Sequence, residues 1–551
     1  MILDKRRRHF ERYIEIGRIL AKYGWGDLIS RLGLADIFRL HKRGKALPPG
    51  PEQLREALEE LGPTFIKLGQ LLSTRPDIIP QEYAHELEKL QDEVSPFPFE
   101  EARDIIEEEF GQPLENFYLS FDPTPLAAAS LGQVHEAILA DGTDVVVKVQ
   151  RPGIRQTIDT DLEIISGAVR LIEQHFEKMR IYALSDLVDE FSITIHQELD
   201  YTREGRNSDQ FRRNFANVKY AYFAKTMWDY TTVRVLTQEH IKGIKITNIH
   251  ELDSLGYDRL QIARNLSRIF FKMMLIDGFF HADPHPGNIV VLEGNVIGLL
   301  DYGMVGHLDQ NLKTYVTMLM SEYLQEDSDG YAETLLAMGS APSDISRKAF
   351  TEEIDRLLRQ YYGAPTREIR IGEILRRALR ISAKHKVRLP ASLGLLIKVI
   401  IVIEGIDQQL CPEFDFSDAA KPFINESVYE ELSFRRLKNQ AYHSLIYWKR
   451  LLLELPHRTS DVLDRMSEGA FRIVFHHEGL EGPVRDIDKS ANRLSFALVN
   501  SATIVASAVL LSAEAGPMWH GYSILGLIGF GVAFLSAVWL MISIIRAGKL
   551  W

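Results

Sequence analysis

The spacing of apolar and polar residues changes period several times along the chain. Residues 10–23 put Phe10, Tyr13, Ile14, Gly17 and Leu20 on one side of a helix and Arg12, Arg18 and Lys22 elsewhere, which predicts a packing helix. The neighbouring basic cluster, Lys5 to Arg8, also suits a membrane surface. Residues 41–50 read as a basic, Pro- and Gly-rich linker. Gly62-Pro63-Thr64-Phe65-Ile66-Lys67-Leu68-Gly69-Gln70 opens a second helix, because proline suits a first helical turn. There Lys67, Gln70 and Thr74 share one face, and Phe65, Leu68 and Leu72 another. Residues 82–118 read as helical and acidic.

Asp122-Pro123-Thr124-Pro125 then breaks the pattern. The small-residue turn Ala127-Ala128-Ala129-Ser130 runs into a strand, Asp141-Gly142 makes a hairpin turn, and residues 145–149 return. Helices are predicted over 155–180 and 186–204, a strand over 232–238 and a connector over 239–243. A helix over 257–277 leads to a strand at 289–292, the turn Glu293-Gly294-Asn295 and a returning strand at 296–300. Residues 393–403 are apolar around a lone Lys398. They are too few to span a bilayer and read as a core helix. Residues 435–456 and 461–475 look amphipathic.

Two uncharged runs, 494–513 and 522–545, flank Glu514-Ala515-Gly516-Pro517. Each reaches the roughly 20 residues that a transmembrane helix needs. Arg485, Lys489 and Arg493 precede the first; Arg546 and Lys549 follow the second. Basic residues on both outer flanks place both on the cytoplasmic side. Gly529, Ala533 and Ala537, and likewise Ala497 and Ser501, recur every four residues, a spacing that lets helices approach closely.

At 551 residues, 46% hydrophobic and 25% charged, the chain has ample core for several modules. It carries 64 basic against 76 acidic residues, net −12. No basic field covers it, which argues against nucleic acid as a partner. The single cysteine, Cys411, excludes an internal disulfide.

Candidate chemistry centres on His281-Ala282-Asp283-Pro284-His285-Pro286-Gly287-Asn288 and on Asp301-Tyr302-Gly303. Asp283 precedes Asn288 by the Asp-to-Asn interval of a kinase catalytic loop, where Asp orients a nucleophile and Asn holds a metal. The hairpin between them returns Asp301 to Asn288, so their oxygens would grip Mg²⁺. Lys148, on the face of Val146 and Gln150, matches a strand lysine that pairs with nucleotide phosphates. Snorkelling to solvent suits it as well. Glu198, Asp200 and Glu204 belong to a carboxylate-rich helix of the kind that fixes such a lysine, with Asp200 and Glu204 on one face. By spacing alone, the face of Lys67 and Gln70 suits solvent first and a phosphate second.

In this order, Lys67-x-Gly69-Gln70, the Ala127 to Ser130 turn, Lys148, Glu198-x-Asp200, His281-x-Asp283-x4-Asn288 and Asp301-Tyr302-Gly303 resemble the UbiB family of atypical kinases, over roughly residues 60–310. The resemblance implies an α+β, protein-kinase-like two-lobed fold. A helical extension (1–118) would precede an N-lobe (119–245), a helical C-lobe (246–480) and a membrane anchor (481–551). It implies ATP and Mg²⁺ as cofactors, with ATP hydrolysis supporting ubiquinone or related prenyl-quinone biosynthesis. Lys148 would bind phosphate, Glu204 would pair with it, and Asp283 would be the catalytic acid. Asn288 and Asp301 would ligate metal. Ala127, Ala128, Ala129, Ser130, Glu239 and Ile241 would line the nucleotide. Lys67, Gln70, Glu198 and Asp200 would close the extension over it. Expected partners are membrane lipid, prenyl-quinone intermediates and quinone-biosynthesis enzymes, with a homodimer left open. The expected location is the inner membrane, kinase-like domain in the cytoplasm. Alternatives are a nucleotide-gated lipid scaffold and a small-molecule kinase.

Overall fold

The computed structural model describes residues 2–26, 49–73, 79–90, 94–175, 184–342, 345–362, 370–431, 481–513, 516–520 and 522–546. Most of the expected linker at 41–50, Thr74, residues 176–180, the stretches 435–456 and 461–475, Glu514, Ala515 and Lys549 lie outside them. The chain forms two units, residues 1–439 and 440–551.

Among the described residues, four helices open the first unit: α1 (Ile2–Lys22), α2 (Pro51–Leu61), α3 (Pro63–Ser73) and α4 (Gln81–Leu87). Pro51 and Pro63 stand first in their helices, where a missing N–H costs nothing. The inward side of α1 is the predicted one only in part: Gly17 is buried and Tyr13 and Leu20 pack on the core, but the face is shifted. Ile16 and Ile19 are buried, Phe10 is exposed, and Arg12 turns in toward Asp161. A buried carboxylate needs that guanidinium more than the core needs another apolar contact.

Residues 82–118 are less helical than their composition suggests. After α4 comes α5 (Phe99–Phe110), then β1 (Tyr118–Phe121). Helix α5 shares a core with the sheet, where Ile106, Val145, Val147 and Val235 are fully buried. That sheet joins β1, β2 (Ala127–Ala128), β3 (Gly132–Leu139) and β4 (Asp144–Gln150). After β5 (Ala221–Phe223) passes to a second sheet, β6 (Val235–Glu239) completes the first. Gly142, at φ 85°, turns β3 into β4 as the Asp-Gly pair predicts. Gly132 serves a close approach: a Cβ there would sit 2.4 Å from the Val149 carbonyl oxygen. Gly132→Ala should therefore cost about 1–3 kcal/mol, read as a lower thermal unfolding midpoint.

The predicted helix over 186–204 is two helices. After α6 (Ile154–His175), α7 (Leu184–Glu198) ends at a break, and α8 (Tyr201–Asn214) begins. Asp200 is the N-cap of α8, accepting from the Thr202 N–H. A short acidic side chain favours that role over a helix interior, so Asp200 and Glu204 do not share a helical face. Helices α6 and α7 pack on α1–α4 through Ile158, Phe191 and Ile195.

The second sheet runs β5-β10-β9-β7, with β7 (Ile244–Lys245), β9 (Ile289–Leu292) and β10 (Val296–Leu299). The β9–β10 hairpin matches the prediction to within a residue; Gly294 (φ 75°) and Asn295 (φ 60°) supply its left-handed turn. Short strands β8 (Phe279–His281) and β11 (Val305–His307) pair beside it. Helix α9 (Ile249–Ser254) precedes α10 (Arg259–Phe271). Then follow α11 (Gln310–Leu324), α12 (Ser328–Met338), α13 (Arg347–Arg359), α14 (Ile371–Lys384), α15 (Ala391–Leu410) and α16 (Phe416–Glu431). The core helix expected at 393–403 is α15; Leu396, Val399 and Ile403 on it are fully buried.

In the second unit, α17 (Glu481–Ser512) and α18 (Ile524–Arg546) form a hairpin closed by β12 (Met518–Trp519) and β13 (Tyr522–Ser523). Residues Ala491–Ser512 and Ile524–Ile542 are long and apolar enough to cross a membrane, with mean hydropathies of 2.0 and 2.3. Their outward side chains include Leu498, Val505, Phe534 and Leu535, each more than 60% exposed. The helices meet where Gly526 and Gly529 face Ser507 and Leu511, and Ser536 donates to Asn500. Ala533 is buried there as expected, whereas Ala497, Ser501 and Ala537 face outward. A helix turns 100° per residue, so a four-residue repeat drifts off the contact line.

Candidate nucleotide site

Three segments bring their charges to one point. Strand β4 is hydrogen-bonded on both sides, with Lys148 opposite Val134 and Leu236. Helix α8, started by Asp200, carries Glu204 within its first turn. The β9–β10 hairpin ends at Asp301. Lys148 Nζ lies 2.8 Å from Glu204 Oε2 and 3.7 Å from Asp301 Oδ2. It also sits 5.2 Å from the centre of the Tyr201 ring. Glu204 is 6% exposed, so its partner lysine is needed to hold it there.

Burial opposes the charge on Lys148, but Asp301 and Glu204 outweigh it and hold the ammonium well above its ordinary range. Burial likewise opposes the Asp301 charge, yet Lys148 and the Gly303 N–H lower its carboxyl to about 2. The Gly303 N–H donates to Asp301 Oδ1 over 2.7 Å. This leaves Asp301 ionised, with its other oxygen toward Lys148.

The Asp-Tyr-Gly segment is pinned to α8. Asn207 Nδ2 donates to the Tyr302 carbonyl over 2.9 Å. The buried Tyr302 hydroxyl accepts from the Ala224 N–H and donates to the Leu299 carbonyl. His281 links the two motifs: its Nε2–H donates to the Asp301 carbonyl, and its Nδ1 accepts from the Asp283 N–H. Burial lowers the His281 pKa, which favours this neutral tautomer.

Asp283 pairs with a residue that sequence reasoning did not assign to the site. Lys398 Nζ, from α15, is 2.9 Å from Asp283 Oδ1. Burial would raise the Asp283 carboxyl, but Lys398 pulls it below its ordinary value. Its only signal in the sequence is a single charge within an apolar run. Tyr201 and Asn207 were missed as well, since neither belongs to a motif.

Asn288 lies in a tight turn, and its carbonyl accepts from the Leu300 N–H over 3.0 Å. That bond sets Asn288 beside the residue before Asp301. An amide and one ionised carboxylate suit Mg²⁺, which takes one or two carboxylates and completes its shell with phosphates and water. Among the described residues no cluster of three or more His, Cys, Asp or Glu offers a rival metal site.

The extension reaches the same place through Lys67, whose Nζ is 3.1 Å from Glu198 Oε2. The Lys67 charge also lowers the carboxyls of Asp283 and Asp301. Gln70 donates to the Leu90 carbonyl over 3.3 Å, and Asp200 is occupied as a helix cap. Ala127 and Ala128 pair with Val134 and Gln133, the Ala129 N–H donates to the Gly132 carbonyl, and Ser130 is buried. Arg151 ties this turn down by donating to the Ala129 and Ser95 carbonyls. Glu239 and Ile241 end β6 and start the connector; the Glu239 carboxylate accepts from the Tyr222 hydroxyl.

Comparison with known proteins gives the family. The chain matches the ABC1 atypical kinase-like domain over residues 89–335, the UbiB helical domain over 354–415 and the ABC1/UbiB kinase-like C-terminal domain over 478–546. An uncharacterized Clostridium pasteurianum protein from the hydrogenase 1 5' region is 34% identical, over 97% of this chain and 99% of that one. The probable protein kinase UbiB of Marinobacter nauticus is 35% identical, over 75% of this chain and 76% of its own. A chloroplastic Arabidopsis thaliana protein, ACTIVITY OF BC1 COMPLEX KINASE 7, is 33% identical, over 87% of this chain and 67% of its own. The chain has a protein-kinase-like fold and belongs to the ABC1/UbiB family of atypical kinase-like proteins.

Proposed function

We propose that this protein is a membrane-anchored atypical kinase or ATPase that uses ATP and Mg²⁺ to support ubiquinone or related prenyl-quinone biosynthesis. One observation carries the reading: Lys148 stands between Glu204 and Asp301, 2.8 and 3.7 Å away. A lysine held ionised by one buried carboxylate, next to a second that is partly exposed, is arranged to receive phosphate oxygens. Mg²⁺ held by Asn288 and Asp301 would neutralise charge on the β- and γ-phosphates. Asp283 orients the acceptor and takes its proton. Ala127 to Ser130 present backbone to the phosphates, and the connector at Glu239 and Ile241 faces the adenine. Lys67, paired with Glu198, keeps the extension at the mouth of the site, which favours water or a small acceptor over a protein. The apolar hairpin anchors the chain, and Arg485, Lys489, Arg493 and Arg546 favour the cytoplasmic face of the inner membrane. Prenyl lipids and quinone-biosynthesis enzymes are the partners this reading implies.

The quinone profile of a deletion strain tests it. The strain should accumulate a prenylated precursor, the wild-type gene should clear it, and Asp283→Asn should not. A normal profile with Asp283→Asn would favour a nucleotide-gated scaffold instead.

A further inference from the structure

Lys398 is an unusual residue for its helix. Around it on α15, Leu396, Val399 and Ile400 are at most 1% exposed, and Ile397 is 4% exposed. A lysine in such a setting normally runs its stem to the surface and leaves its ammonium in water. Here the ammonium turns to Asp283, 115 residues away, and this is its one recorded polar contact among the described residues. Both side chains keep some solvent, at 30% and 43% exposure, so neither is locked in for want of an alternative.

The backbone of Asp283 is fixed independently. Its N–H donates to His281 Nδ1 over 3.2 Å, and its carbonyl accepts from the His285 N–H over 2.7 Å. Those bonds leave the carboxylate free to rotate. Lys398 engages Oδ1 and leaves Oδ2 for another partner. The titratable groups facing Asp283 are thus the ammoniums of Lys398 from α15 and Lys67 from α3 and the neutral imidazole of His281 from β8.

We infer that Lys398 is a positioning residue supplied by the helical region after the kinase-like core: it orients Asp283 so that the second carboxylate oxygen meets the phosphoryl acceptor. The inference rests on the function proposed above. In the step it serves, the acceptor oxygen bonds to the γ-phosphorus, the bond to the ADP oxygen breaks, and the acceptor proton passes to Asp283 Oδ2. With water as acceptor the products are ADP and phosphate. A region that matches the UbiB helical domain, residues 354–415, then belongs to the catalytic unit.

The test uses the full chain in phospholipid vesicles. Lys398→Met should lower kcat for Mg-ATP turnover on the order of 10–100-fold, with KM for ATP changed less than about threefold. Lys398→Arg, which keeps the charge, should recover most of kcat. A merely structural lysine would not be rescued in this pattern. A cycle of Lys398→Met and Asp283→Asn, read on thermal midpoints, should be non-additive whether or not ATP turns over. An additive cycle would overturn the inference, as would parent-like kcat in Lys398→Met, a raised KM at unchanged kcat, or an arginine variant as slow as the methionine one. A parent chain without ATP turnover would refute the proposed function instead, and a coupled cycle would still show Lys398 holding Asp283.

Discussion

Asp301→Asn is expected to lower Mg-ATP turnover on the order of 10²–10³-fold, the usual cost of removing one preorganised electrostatic group from a site of this kind. The substitution is nearly isosteric. Its amide oxygen still accepts from the Gly303 N–H, so the Asp-Tyr-Gly segment stays pinned through Asn207 and Tyr302. The carboxylate charge is what disappears. Asp301 is held ionised by Lys148, with its carboxyl lowered to about 2. Asparagine leaves Lys148 with Glu204 alone, and a Mg²⁺ held as proposed would meet two neutral oxygens. Turnover should therefore fall, and the Mg²⁺ concentration needed for half-maximal rate should rise. An unchanged thermal midpoint would show that the fold is intact. Parent-like turnover would mean that the site has been assigned to the wrong residues.

The second large effect is on stability. Arg12→Met should destabilise the packing of α1 by about 3–5 kcal/mol, because it strands a buried carboxylate. The Asp161 side chain is 0% exposed. Arg12 meets both of its oxygens, at 2.8 and 3.0 Å, and also donates to the Leu61 carbonyl at the end of α2. One side chain thus joins α1, α2 and α6. Replacing both charges, as Arg12→Met with Asp161→Leu, should restore most of the loss, since well-packed apolar pairs often equal a buried ion pair. Hydrogen exchange along α1 and a denaturant titration would report both results. Unchanged protection of α1 in the single variant would show that the pair contributes nothing.

Much of the site was legible because its motifs are local. The turn at Gly142 and the hairpin at Gly294-Asn295 follow from residues that tolerate left-handed backbone. The interval from Asp283 to Asn288 and the return to Asp301 follow from that hairpin. The role of Asp200 was not legible. A short carboxylate reads alike as a helix residue and as a cap, and only the break after Glu198 shows that it starts α8.

By itself the sequence determined the elements whose signal repeats within a few residues: the β3–β4 and β9–β10 hairpins, the apolar helix around Lys398, and the two long apolar helices of the second unit. It also marked which residues could carry charge into a nucleotide site. Tertiary structure brings Lys148 to Glu204 across 56 residues, as the family resemblance implied, and it alone decided the pairing of Lys398 with Asp283 across 115. It also turned Arg12 of α1 inward and decided which small residues join the apolar hairpin. The reason is physical. Periodicity acts through neighbours along the chain, whereas the partner of a buried charge is set by which groups lose water together when the core closes.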